Sequence, residues 1–459
     1  MKDIKVKDII NLTKGILITG NENLICENFS KDTRTIQNGD IYIGIKGEKF
    51  DGSQFWKQAL DNGAEGVIVE NVEITPKEKE KYSKKTIILV ENTLEALYKI
   101  AKYKRSLYNI PVIAITGSVG KTSTKDVVAN VVKMKYKTLK TEGNNNNNIG
   151  LPLTILKLKD HEAMVIEMGM NHFGEISLLT NIAKPTLSII TNIGTSHIGI
   201  LGSRENILKA KLEILEGMDL PKVIINNDND LLHKWYQENK NKIEIHTYGI
   251  ENNSDIMAKQ IELREDGSKF VADNKLENID ITVPVGGNHF VYNALCAVTV
   301  GKVLGIENKD IQKGIEEFEL TKKRMDIRQL ENGAILINDS YNASYESMKA
   351  SIEYLATHTG ERKIAVLGDM FELGEYSIEL HRKVGEEVAK NNIDILLCAG
   401  ENSKYIIEGA KKINKDINAE LFKEKEEITK KLSNEIRKGD VILVKASNGM
   451  KFFEICQKL

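Results

Sequence analysis

The sequence predicts an α/β protein of three domains. These are a small α/β N-terminal domain over residues 1–108, a central P-loop mononucleotide-binding domain with a mainly parallel sheet over 109–320, and a Rossmann-like α/β domain over 321–459. Three observations lead there. A chain of 459 residues leaves room for about three domains at roughly 150 residues each. From Pro111 onward, short apolar runs alternate with helical stretches, the pattern of a sheet covered on both faces. One of those runs leads directly into a glycine turn that carries a lysine, ITGSVGKTSTK from Ile115 to Lys125.

The N-terminal domain rests on GDIYIGIKG and GVIVEN, short alternating segments spaced by turn residues, followed by helical periodicity in LEALYKIAKYKRSLYN. Pro111 then marks a seam, because the residue before a proline is pushed out of helical geometry. In the central domain the strands are PVIAIT, AMVIEMG, LSIITNIG and KVIINN. After the charged join TKKRMD come AILINDS, KIAVLGD, DILLCAG and DVILVKAS, again separated by helical segments, which is the third domain. The asparagine tract at 144–148 has the composition of a polar linker, but its flanks, TEG and IGLPLTIL, argue against one.

Composition narrows the class. With 41% hydrophobic and 28% charged residues and only 6 prolines, the chain is a folded globular protein rather than a disordered one. A net charge of -2 without a cationic tail provides no footprint for nucleic acid, so an anionic ligand must be met locally. Cys26, Cys296, Cys398 and Cys456 lie far apart with no CxxC pairing, as expected of reduced thiols in the cytoplasm. No apolar run approaches the ~18 residues of a membrane span, and the start lacks a signal-type apolar region.

The glycine turn reads as a phosphate cradle. Gly117 and Gly120 let backbone amides turn inward, and a helix beginning at Thr122 points its positive end at the same place. Lys121 adds a point charge for outer phosphates, and the Thr122 hydroxyl suits Mg²⁺. The usual pattern GxxxxGKS/T has glycine where Ile115 stands, so this is a shortened form, TGxxGKTS.

Further on, Glu167 ends the strand MVIEMG, where it either completes a metal shell or is an N-cap or a solvated strand end. His197 follows LSIITNIG and is either a third member of that hard-cation set or an ordinary polar residue. In SRENILKAKLEILEGM, a helix started by Ser203 puts Ile207, Lys211, Ile214 and Leu215 on one apolar face. Lys211 then either snorkels or loses its charge by desolvation, leaving an amine able to take up CO₂ as a carbamate. Asn293 suits a purine edge, or with His289 it is a cap. Arg324 suits a phosphate across a cleft, or is a surface residue. Asp339, Tyr341 and Asn342 follow a strand where ribose and base contacts or simple turn chemistry both fit, and Asp369, Glu372 and His381 are weaker signals of the same kind.

Taken in order, these segments resemble the Mur ligases of peptidoglycan synthesis along nearly the whole chain. FSKDTRTIQNGDIYIGIKGEKFDG is similar to that family's uridine-nucleotide domain. TGSVGKTSTK, TEGNNNNNIGLP, IEMGMNHFGEI, TNIGTSHIGILGS and KAKLEIL resemble its ATPase centre, and DSYNASYESM, LGDMFELG and VKASNGMK its C-terminal domain. The resemblance implies an ATP-dependent amide ligase with ATP held by Gly117, Ser118, Gly120, Lys121, Thr122, Ser123, Asn293, Arg324, Asp339 and Tyr341. It implies Mg²⁺ at Thr122, Glu167, His197 and a carbamylated Lys211, with Lys121, Lys211, His197 and Arg324 as the catalytic group. Substrate contacts fall on Thr33, Arg34, Lys46, Asp51, Gly52, Asn146, Asn147 and Asn342. Neither DNPR nor a DYAHTP-like segment occurs, whereas DSYNASYESMK resembles the DxYNANPxSM segment of the dipeptide-adding member. The implied substrates are therefore UDP-N-acetylmuramoyl-tripeptide and D-alanyl-D-alanine, handled by a monomer through an acyl phosphate. Within that segment Ser344 and Tyr345 stand where Asn-Pro is common, and in VKASNGMK Ala446 and Asn448 stand where glycine and arginine are common. Another amino-acid ligase of the superfamily, or a nucleotide switch that hydrolyses ATP without ligation, are the rival readings.

Overall fold

The computed structural model describes residues 3–47, 50–319 and 325–459. They fall into two compact units, 1–114 with 136–187 and 213–221, and 115–135 with 188–212 and 222–459, whose boundary lies inside the strand Val112–Thr116.

In the first unit, a five-stranded sheet has the order Ile16–Thr19, Thr86–Leu89, Gly66–Val69, Ile41–Ile43, Phe29–Ser30. Its strands are parallel except at the Ile16–Thr19 edge. Tyr42, Trp56, Val67, Val69, Tyr82 and Ile87 fill one face of it. The helix Thr93–Ser106 starts at Asn92, whose Oδ1 accepts the Glu95 N–H at 2.8 Å, an N-cap that satisfies one of the amides a helix start leaves unpaired.

The central sheet has nine strands in the order Asn278–Val283, Ser268–Asp273, Ile256–Leu263, Glu244–Gly249, Lys222–Asn226, Leu187–Ile190, Val112–Thr116, Ala163–Glu167, Thr138–Lys140. Its apolar strands VIAIT, AMVIE and LSII are buried at every position, as a strand covered on both faces must be. At the other end, Ile256–Leu263, Ser268–Asp273 and Asn278–Val283 pair antiparallel. This end does not emerge from the sequence reading. NIDITV buries alternate residues only, because one face is in solvent, and such a strand can be joined to its neighbour by a tight turn instead of a covering helix.

The C-terminal sheet runs Asp326–Gln329, Ile335–Asn338, Asp440–Lys445, Arg362–Gly368, Ile395–Ala399, Asn418–Phe422, parallel apart from its first pair. Leu336, Val366, Leu397, Ile442, Val444 and Phe452 form its core. At one strand end, Arg362 grips the buried Asp440 with two bonds, Nε to Oδ1 at 2.8 Å and Nη2 to Oδ2 at 2.6 Å. Arg362→Met leaves that carboxylate without its countercharge. Because Arg362 is partly exposed, the expected loss is about 2–3 kcal/mol, below the roughly 3–5 kcal/mol of a fully buried pair. Denaturant unfolding at neutral pH measures it. Burial pushes the Asp440 carboxyl up, but Arg362 and the Arg437 amide outweigh it and hold it below the usual range. The arginine's contribution is therefore present above the unfolded-state carboxylate pKa and fades as pH falls through the folded one.

Among the described residues, no helix is long and apolar enough to cross a membrane. All four cysteines are buried, unpaired thiols.

Candidate active site

The second unit holds the glycine turn between the end of Val112–Thr116 and the helix Lys121–Val132. Gly117 has φ 155 and Gly120 φ 80, the latter serving as N-cap in left-handed geometry. A Cβ at Gly117 would stand 1.9 Å from Thr191 Oγ1, so the position admits only glycine. The turn is tied to the residues just past the strand Leu187–Ile190. Ser118 N–H donates to Asn192 O at 3.0 Å and Val119 N–H to Asn192 Oδ1 at 2.9 Å. Thr191 Oγ1 and Asn192 Nδ2 donate to Val119 O at 2.8 and 2.9 Å, and Gly194 N–H donates to Ser118 Oγ at 2.9 Å. Thr191 and Asn192 are missing from the sequence-based site, although a polar pair directly after a fully apolar run is a signal for them. Gly117→Ala is expected to force this wiring apart and weaken ADP binding by at least about tenfold, an effect of roughly 1.4 kcal/mol, with the calorimetric Kd as readout.

Lys121 folds over the cradle, its Nζ donating to Gly117 O at 2.8 Å and Ser118 O at 3.4 Å. Thr122 and Ser123 are buried in the first helical turn. Asn293, on the helix Asn288–Val303, is brought to the same helix start, where its Oδ1 accepts from Thr124 Oγ1 at 2.9 Å. Burial holds the neighbouring His289 neutral, at about 4.

Lys211 lies near the end of the helix Arg204–Leu212 and is 1% exposed. Among the described residues nothing forms a hydrogen bond or ion pair with its amine. Burial, and then the positive charge of Lys121, push its pKa well below the usual lysine value. The structure thus places these two amines within electrostatic reach of each other, and both burial and Lys121 favour the uncharged form of Lys211. His197, in left-handed geometry at φ 65, makes an Nδ1 contact of 2.5 Å with Glu372 Oε2.

In the C-terminal part, Asp339 accepts from Ser351 Oγ at 2.7 Å and pairs with the buried Lys445, which also donates to Asn342 O at 3.1 Å. Lys445 joins Asp339 and the Asn342 backbone into one corner that sequence motifs alone do not reveal. Tyr341 lies in the same turn. Arg324 lies outside the described residues.

In the first unit, Glu167 is buried and ends its strand, its Oε1 accepting from Asn146 Nδ2 at 2.7 Å and its N–H donating to Thr141 Oγ1 at 3.1 Å. Asn147 Oδ1 accepts from Gly150 N–H at 2.8 Å and Ile149 N–H at 3.2 Å at the start of the helix Gly150–Leu156. The asparagine tract is therefore built structure, not linker. Nearer the N-terminus, Arg34 is exposed beside Asp32, its Nε donating to Oδ1 at 2.9 Å and its Nη2 to Oδ2 at 2.7 Å. Thr33 O accepts from Asn62 Nδ2 at 2.9 Å. Lys46 and Asp51 pair through their backbones in an isolated antiparallel β-bridge, Asp51 Oδ1 caps Ser53 at 2.9 Å, and a Cβ at Gly52 would meet Ile45 O at 2.4 Å.

Strand, glycine turn and helix define the class as a P-loop protein. Residues 28–105 match the Mur ligase family catalytic domain, 115–301 the Mur ligase middle domain, and 323–448 the Mur ligase glutamate ligase domain. The chain belongs to the Mur ligase family. It is 37% identical to the UDP-N-acetylmuramoyl-tripeptide–D-alanyl-D-alanine ligase of Bacillus subtilis (strain 168), covering 99% of this chain and 98% of the relative. Among solved structures, MurF from Acinetobacter baumannii superposes with a TM-score of 0.89 at 29% identity, over 100% of this chain and 98% of that one. MurF ligase from Thermotoga maritima in complex with ADP does so at 0.79 and 28%, over 94% and 96%.

Proposed function

We propose that the chain is an ATP-dependent, ADP-forming ligase that joins D-alanyl-D-alanine to UDP-N-acetylmuramoyl-tripeptide in peptidoglycan synthesis, acting as a monomer in the cytoplasm. The observation that carries this reading is the glycine turn tied to Thr191 and Asn192, with Lys121 folded over it and the buried Lys211 within electrostatic reach, in a chain similar along its whole length to ligases of that name.

An amide cannot form spontaneously from a free carboxylate and an amine in water, so the carboxylate must first become a better electrophile. In the proposed course, the tripeptide's terminal carboxylate attacks the γ-phosphate of ATP and ADP leaves. The dipeptide amine then attacks the acyl phosphate and inorganic phosphate leaves. Lys121 and the inward amides of the turn stabilise the charge that spreads over the transferred group. Ser118, Thr122, Ser123 and Asn293 hold the nucleotide, with Arg324, Asp339 and Tyr341 contributing from the C-terminal part. Thr33, Arg34, Lys46, Asp51 and Gly52 take the uridine nucleotide, and Asn146, Asn147 and Asn342 the rest of the substrate.

Mg²⁺, when bound, neutralises phosphate charge. Among the described residues no three His, Cys, Asp or Glu side chains come together as a ready-made metal site. A P-loop ion needs none, since hydroxyl and phosphate oxygens supply much of its shell. The buried Glu167 carboxylate, the Thr122 hydroxyl and His197 fit that role. The amine of Lys211 fits carbamylation, because a neutral amine in a dry place reacts with CO₂ and the resulting anion offers an oxygen ligand where the lysine offered none.

Phosphate release in the presence of UDP-N-acetylmuramoyl-tripeptide and one candidate amine at a time tests the reading. Release dependent on D-alanyl-D-alanine is expected. Dependence on a different amine would assign the chain to another ligase of the superfamily, and amine-independent release to a nucleotide switch.

A further inference from the structure

The segment LGDMFELGEYSIELH, Leu367 to His381, has no part in the function proposed above, yet several hydrogen bonds tie it in place. The Asp369 carboxylate accepts from Asn402 N–H at 3.1 Å and Ser403 Oγ at 2.7 Å, and its carbonyl accepts from Ser447 N–H at 3.0 Å. Met370 N–H donates to His381 Nε2 at 3.0 Å, while His381 Nδ1 donates to Ser377 O at 2.7 Å. Phe371 N–H donates to Ser447 Oγ at 2.9 Å. The base of the segment is thus held from both sides, and Glu372 projects from it.

Glu372 lies against the His197 loop. Its carbonyl accepts from Gly199 N–H at 3.0 Å, its carboxylate meets His197 Nδ1, and Tyr376 OH donates to Gly202 O at 2.9 Å. A Cβ at Gly199 would stand 2.4 Å from Gly374 N, so the two backbones approach as closely as glycine allows. Both residues that meet, His197 at φ 65 and Glu372 at φ 62, are non-glycines in left-handed geometry. Such a conformation is unfavourable for a residue with a side chain and persists only where its surroundings over-determine it.

We propose that Glu372 is a positioning residue for the metal site: by accepting the Nδ1 proton of His197, it fixes the tautomer in which Nε2 carries the lone pair that faces a divalent cation. This rests on the reading of His197 as a metal ligand. A carboxylate behind a ligating imidazole orients the ring, raises its basicity and removes the competing tautomer. Here that carboxylate comes from a sequence segment 175 residues away, so the metal site is complete only while the C-terminal strap is docked.

The test titrates Mn²⁺ into the full chain saturated with ADP, reading free Mn²⁺ by electron paramagnetic resonance, alongside ¹⁵N-histidine spectra of the metal-free protein. Glu372→Ala is expected to weaken Mn²⁺ binding about tenfold and to shift the His197 signals from a single Nδ1–H tautomer to a mixture. Glu372→Gln, whose amide oxygen still accepts the proton, retains the tautomer and most of the affinity. Glu372→Asp draws the carboxylate back while keeping the charge and behaves like alanine, which separates positioning from mere loss of charge. His197→Ala is the discriminating control. If it weakens Mn²⁺ binding while Glu372→Ala does not, the positioning role is overturned and the ligand reading stands. If His197→Ala leaves Mn²⁺ affinity unchanged, the ligand reading falls and the positioning role with it.

Discussion

Lys121→Ala is expected to abolish ligation, with phosphate release down roughly 10²–10³-fold or more, the scale of losing a preorganised charge at a transferring group. Stability should scarcely change. The side chain bonds to the carbonyls of Gly117 and Ser118, and it is not part of an apolar core. The exposed ends of those bonds are replaced by water, so an effect within about 1 kcal/mol is expected. Removing this amine also lifts its repulsion from Lys211, whose pKa should rise toward the ordinary lysine value without reaching it, because burial is the larger cause. Steady-state phosphate release, the ADP dissociation constant and a melting curve measured together separate loss of chemistry from loss of fold. Retained turnover in a folded Lys121→Ala would overturn the assignment of the P-loop.

The second large effect is at Lys211. Lys211→Ala is expected to be inactive and to regain part of its activity with a short carboxylic acid such as acetate, which supplies the oxygen anion that the carbamate otherwise provides. Full activity without any additive would refute the carbamate role. Stability should move the other way. In CO₂-depleted buffer, Lys211→Met replaces an amine that has no hydrogen-bond partner among the described residues and should stabilise the protein by about 1–3 kcal/mol, the cost of an unsatisfied buried polar group. The sign of the pH dependence follows from the lowered pKa. Between the folded value and the unfolded value near 10.4, the unfolded chain binds the extra proton, so stability rises with pH across that window and is lowest below it. Denaturant unfolding against pH should show this slope in the wild type and lose it in Lys211→Met.

How much of this is legible in the sequence depends on the range over which each feature is encoded. The P-loop is legible because its parts are neighbours: an apolar strand, two glycines, a lysine and a helix within one short stretch. The burial of Lys211 is legible from helical spacing, since Ile207 and Lys211 share a face whatever the face packs against. The antiparallel end of the central sheet is not, because alternation reveals one wet face without revealing the partner strand or its direction. Nor are Thr191 and Asn192 obvious as supports of the turn, since they join it only when two strands become neighbours. The asparagine tract shows composition misleading in the other direction. A run of identical polar residues has a linker's composition, and although its flanks argue against one, only the structure shows Asn147 accepting from the first amide of a helix and Asn146 reaching a buried carboxylate.

What the sequence by itself determined is the class: a three-part α/β chain, a phosphate cradle, a lysine on an apolar face, and the motifs of the Mur ligases in order. These are local patterns, and local patterns survive without knowledge of the fold because strand, turn and helix geometry are set by residues a few positions apart. What only the tertiary structure decided is which distant side chains complete the site. Lys445 answers Asp339 and Glu372 answers His197 across 106 and 175 residues. Such pairs are chosen by strand order and loop length, and each carboxylate had several cations or imidazoles in the sequence with equal formal claim to it. Burial then lowered the pKa of Lys211, which sits beside a second amine, whereas the equally buried Lys125 and Lys445 pair with Asp126 and Asp339.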